Sequence, residues 1–67
     1  MNEEQFNLDL RRFLKRFGVS AQREIEKAVR DALETGTLTG GETLRAHARL
    51  TVEGLAVELT IEDELRL

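Results

Sequence analysis

Residues 13–25 read Phe-Leu-Lys-Arg-Phe-Gly-Val-Ser-Ala-Gln-Arg-Glu-Ile, and the reading of this stretch decides the fold. Gly18 suits the left-handed residue that closes a helix. Val19 and Leu14 are then placed to touch, as in a Schellman motif. Ser20 suits the N-cap of a second helix. The stretch therefore predicts two helices, about 3–17 and 21–35, joined by Gly18 and Val19 alone. A connection this short makes them antiparallel neighbours, with Gly18 at positive φ.

Working outward, the first helix opens on Asn2, with Gln5 three residues later as a variant capping box. Glu3 and Glu4 put negative charge at the positive end of the helix dipole. Phe6, Leu10, Phe13, Leu14 and Phe17 recur at helical spacing and read as core. In the second helix Ile25, Ala28, Val29, Ala32 and Leu33 form the matching stripe, and Gly36 closes it. Leu8 points away from the first stripe and shares the outer face with Arg11 and Lys15. It reads either as an ordinary exposed leucine or as a contact with a partner or a second copy.

After Gly41 the period changes from three or four residues to two, which is the rhythm of strands. Leu44, Ala46, Ala48, Leu50 and Val52 alternate with polar residues over about 43–52. Leu55, Val57, Leu59 and Ile61 do so over about 55–62. Glu53-Gly54 between them reads as a two-residue hairpin loop. That loop would place Leu50 opposite Val57, Ala48 opposite Leu59 and Ala46 opposite Ile61. On the other face Arg49 would meet Glu58, His47 would meet Thr60 and Arg45 would meet Glu62. Asp63-Glu64 is a candidate second turn, with a short third strand over 65–67. The expected class is α+β: a single domain over 1–67, with a two-helix hairpin on one face of a two- or three-stranded antiparallel sheet, ααββ or ααβββ.

Composition narrows function mainly by exclusion. A chain of 67 residues buries little and has no cysteine, so neither a disulfide nor a thiolate metal site reinforces it. No apolar run reaches the roughly 18 residues of a spanning helix. The opening MNEEQFNLDL lacks the basic and apolar regions of a secretory signal. The expected setting is therefore cytoplasmic, without a membrane. His47 is the single histidine, and its expected neighbours Arg45, Arg49 and Thr60 are poor company for a metal. The acidic run Glu62-Asp63-Glu64 lacks calcium-loop spacing. Thr39-Gly40-Gly41 lacks the Lys-Ser/Thr of a phosphate loop and reads as a hinge or linker. No hydroxyl has an adjacent base. No catalytic residue, metal ligand or cofactor is expected, and the chain reads as a non-enzyme.

The Gly-Val-Ser joint also resembles the turn of a helix-turn-helix. That motif needs apolar residues four and seven positions after the serine, where this chain has Glu24 and Lys27. With a net charge of −3 as well, DNA reading is disfavoured. The leading expectation is a small domain acting through protein contacts, with an unidentified protein partner or as a weak homodimer. The candidate contact residues are Leu8, Arg11, Lys15, Arg23, Lys27 and Arg30. The alternative is a nucleic-acid-associated accessory protein using those cations together with Arg12 and Arg16.

Phe6 to Gly40, FNLDLRRFLKRFGVSAQREIEKAVRDALETGTLTG, resembles a family of short uncharacterised bacterial proteins classed as a domain of unknown function. The most specific portion is the Gly-Val-Ser joint followed by Gln22-Arg23-Glu24-Ile25-Glu26. The family pattern is similar to FNxxLRRFLKxxGVxxQREIEKAV. Its members commonly carry Asp-Gly where this chain has Asp63-Glu64. The resemblance implies the α+β fold and a bacterial, soluble setting, and it implies no activity.

Overall fold

A computed structural model describes all 67 residues. The order is α1, Glu3–Thr35, then β1, Thr43–Thr51, then β2, Glu58–Arg66. Two compact units divide the chain, residues 1–37 and 38–67.

The first unit corrects the two-helix expectation. α1 is one helix of 33 residues that runs through Gly18, Val19 and Ser20. At 1.5 Å per residue it is about 50 Å long. Positive φ occurs at Gly36, Gly40 and Gly54 and not at Gly18. The physical reason is a comparison of costs. A glycine inside a helix loses about 1 kcal/mol relative to alanine. Ending one helix and starting another leaves four carbonyls and four N–H groups without helical partners. The chain has no proline to force a break. The apolar spacing also passes the glycine without a phase jump, since Phe17 and Ala21 are four apart, as are Ala21 and Ile25.

Both ends of α1 match the sequence reading. The Asn2 side chain accepts a hydrogen bond from the Gln5 N–H at 3.1 Å, and the Phe6 N–H donates to the Asn2 carbonyl at 3.0 Å. Gly36 closes the helix at φ +80°, its N–H donating to the Leu33 carbonyl at 3.3 Å. The left-handed residue that the sequence suggested at Gly18 is found here instead.

The second unit begins with a turn held by Glu42. Its carboxylate accepts from the N–H groups of Thr39 at 2.8 Å, Gly40 at 2.9 Å and Gly41 at 3.2 Å. The Thr39 hydroxyl donates to it as well, at 3.2 Å. Thr39-Gly40-Gly41 is thus a carboxylate-capped turn rather than a loose linker.

β1 and β2 form a two-stranded antiparallel sheet. Its register differs from the expected one by two residues: Leu50 pairs with Leu59, Ala48 with Ile61 and Ala46 with Asp63. The cause lies at Glu53-Gly54. A tight two-residue hairpin of type I′ needs positive φ at both central positions. Gly54 supplies it at +86°, but Glu53 does not. The Leu55 N–H donates to the Val52 carbonyl at 3.1 Å, so a β-turn forms there. A turn with positive φ only at its third residue splays the strands. Pairing therefore starts at Thr51 and Glu58, beyond a six-residue connection over 52–57. A shift of two preserves which side chains share a face.

The third strand is absent. Asp63 and Glu64 lie inside β2, and Leu65 and Arg66 are its last residues. The Leu67 N–H adds one further ladder bond to the Glu42 carbonyl at 3.0 Å. No residue in either unit is buried.

A candidate interaction surface on the long helix

With α1 continuous, Ile25, Ala28 and Ala32 of the second expected stripe continue the first, whereas Val29 and Leu33 turn toward the side of Arg11 and Lys15. Phe6, Phe17 and Ala28 are eleven residues apart, as are Leu10, Ala21 and Ala32, and so are Leu14 and Ile25. Eleven residues make about three helical turns, so residues at that spacing stay on one side of a long helix. The stripe consequently keeps one face from Phe6 to Ala32. Its aromatic members remain half accessible: Phe6 50%, Phe13 51% and Phe17 50%. Midway along, Phe13, Arg16, Phe17, Ser20, Ala21 and Glu24 line a shallow, mainly apolar hollow. This spacing of three and four residues is that of the holes which accept side chains in helix–helix packing. Sequence reading missed this surface because it divided the stripe at Gly18. The uninterrupted spacing from Phe17 to Ala21 was the signal available.

All six candidate contact residues lie on α1, yet it does not gather them into one patch. By helical spacing, Arg23, Lys27 and Arg30 sit about a quarter turn round the axis from Leu8, Arg11 and Lys15. Leu8 is 38% exposed, close to Leu10 on the stripe at 40%. Glu26 with Arg30 and Lys27 with Asp31 have the four-residue spacing of helical ion pairs. The side-chain contact formed on the helix is instead Gln5 with Asp9 at 2.9 Å, and the ion pairs formed lie in the hairpin.

On the polar face of the hairpin, Arg45 Nη2 donates to Glu62 at 2.9 Å. His47 Nδ1 lies 3.3 Å from the other oxygen of the same carboxylate. His47 is paired with Glu62, not with Thr60 as its expected register required. These side chains are roughly half exposed or more, and such pairs contribute about 0–1 kcal/mol each. On the apolar face Asp63 sits opposite Ala46 and puts a charge among Leu44, Ala48, Ile61 and Leu65. Charges placed on an otherwise apolar strand face discourage sheet-to-sheet aggregation.

Glu42 is the most strongly perturbed acid. Hydrogen bonds from the backbone of Thr39 and then Gly40 hold its carboxyl well below the ordinary 4.5, at about 2. Those contacts account for the shift structurally, with no ligand needed. No helix is long and apolar enough to cross a membrane.

The model of a family described as a family of unknown function, DUF6494, matches residues 1–67, and the chain belongs to that family. No curated protein and no solved structure matches the chain.

Proposed function

We propose that this member of the DUF6494 family is a non-enzymatic cytoplasmic module that works by protein contact, first of all with a second copy of itself, through the apolar stripe of α1. The observation that carries this reading is the half-exposed row of aromatic and aliphatic side chains on a helix with no buried residue. An isolated helix depends on packing of its apolar face for most of its stability in a protein. A lone two-stranded hairpin is marginal in water. Association would supply the burial that neither unit provides within one chain. Contiguous exposed apolar surface is also a common mark of a protein interface.

Sedimentation equilibrium from micromolar to millimolar concentration tests the reading. A dimer whose population rises with concentration is expected, with helicity rising alongside. A monomer throughout refutes self-association. The nucleic-acid reading is less well supported: Arg12, Arg16, Arg23, Lys27 and Arg30 fall on one side of the helix by helical spacing, but Asp9 and Glu34 share that side and the net charge of the chain is −3. It requires binding to an oligonucleotide that weakens steeply with salt.

A further inference from the structure

We infer that α1 carries a second interface, on the side away from the apolar stripe, that accepts an acidic surface of another protein. From Leu10 to Arg23 the helix holds five cations, Arg11, Arg12, Lys15, Arg16 and Arg23, and no acid. With the whole chain at −3, this segment at +5 leaves the remainder at −8. By helical spacing the five spread over about 140° of the circumference, centred opposite the stripe. None of them is in an ion pair, since those formed join Arg45 and His47 to Glu62, Arg49 to Glu58 and Arg66 to Glu64. Their charge is therefore open to a partner.

Leu8 and Val19 lie in the middle of the same side, eleven residues and so about three turns apart. They are 38% and 43% exposed. Leu8 is thus not a solitary leucine on a polar face. It is one of two aliphatic side chains set among cations.

That mixture identifies the chemistry of the partner. A phosphate backbone is met by cations and hydrogen-bond donors and gains nothing from aliphatic side chains. Binders of single strands add aromatic platforms for the bases, and here all three phenylalanines belong to the stripe. A protein interface instead sets apolar anchors among arginines within a polar rim. The −8 carried elsewhere also opposes a polyphosphate, whose charge runs on past the contact, more than an acidic patch that ends with it. Two copies meeting by this side would set like charges together, so the partner is a different protein. The side stays open when the stripe is covered, and the inference does not depend on self-association.

Two alanine-based acidic helical peptides of equal composition test it by fluorescence anisotropy against the full chain. The first carries two leucines eleven residues apart with glutamates beside them, and the second has its leucines on opposite sides of the helix. The first should bind several-fold more tightly than the second, and its affinity should fall with added salt. Val19→Gln, and separately Arg12→Gln with Arg16→Gln, should each weaken it several-fold, whereas Phe13→Ala on the stripe should not. Glutamine suits a helix interior, and circular dichroism of each variant checks that α1 is intact. Equal binding of the two peptides, or no effect of Val19→Gln, would reduce this side to unselective charge and overturn the inference. So would failure of the first peptide to bind at millimolar concentration. Tighter binding to an oligonucleotide or to anionic lipid vesicles would overturn it in favour of a phosphate ligand. A loss on Phe13→Ala as large as that on Val19→Gln would move the contact to the stripe and overturn it as well.

Discussion

Arg49 and Glu58 form an ion pair at 2.8 Å although neither is the other's cross-strand partner: Arg49 pairs with Thr60, and Glu58 with Thr51. Arg45 and Glu62 are related in the same diagonal way, at 2.9 Å, since Arg45 pairs with Glu64. A long arginine reaches a diagonal neighbour across the ladder as readily as a direct one. Complementary charges therefore tolerate two registers here, and the turn decides between them.

Cross-strand Overhauser contacts should accordingly join Leu50 to Leu59 and Ala48 to Ile61. Contacts from Leu50 to Val57 would place the strands in the tighter register. Glu53→Asn is the informative variant, because asparagine accepts positive φ and Asn-Gly favours the type I′ turn. It should move population toward Leu50–Val57 contacts without changing which side chains face water.

Gly18 is interior to a helix, and a Cβ built on it meets nothing within 4 Å. Gly18→Ala should therefore stabilise α1 by about 0.5–1 kcal/mol. Gly36→Ala meets equally open space but keeps the strained φ of +80°, so it should destabilise the helix end. Urea titrations followed by circular dichroism read both signs. Destabilisation by Gly18→Ala would mean that the chain does break at this joint.

The two halves of the molecule were legible in the sequence to different depths. Asn2, Gly36 and the change of period after Gly41 mark the start of α1, its end and the passage to strands, and all three are local signals with local causes. Gly18 followed by Val19-Ser20 also carries local signals for a helix end, but those signals say only what each residue tolerates. Whether the chain uses them depends on what a break would cost in unpaired backbone groups. The hairpin faces were legible because parity survives a shift of two, whereas the register was not, because it hangs on the φ of Glu53. Glu42 as the cap of Thr39-Gly40-Gly41 carried no periodic signal at all. The apolar stripe was readable residue by residue, as core, and its continuity through Gly18 and its exposure were not.

The Glu42 turn has a definite pH signature. Its folded pKa of about 2 lies below the ordinary 4.5, so the deprotonated form is the one the turn favours. The contribution is fully present above about pH 4.5 and is lost as pH falls toward 2. Carbon-detected titration should show Glu42 with the lowest midpoint among the glutamates. Glu42→Gln should abolish the acid-dependent loosening of residues 39–42 while leaving the β1–β2 pairing in place. A Glu42 midpoint near 4.5 would mean that the backbone donors are not held on the carboxylate in solution.

Phe13 separates a folding role from an association role. It sits on the stripe and is 51% exposed within one chain, so truncating it removes little that the monomer has buried. Full burial of such a side chain between two copies contributes about 1.5–3 kcal/mol. Phe13→Ala removes two of them from a symmetric dimer and should raise the dissociation constant at least about tenfold, since about 1.4 kcal/mol is a factor of ten. The melting temperature of the variant should also depend less on protein concentration than that of the wild type. Leu8→Glu is the control on the opposite side of the helix and should leave the dimer unchanged. Sedimentation equilibrium on the three proteins checks the pattern, and a dimer weakened by Leu8→Glu but not by Phe13→Ala would put the contact on the wrong face of α1.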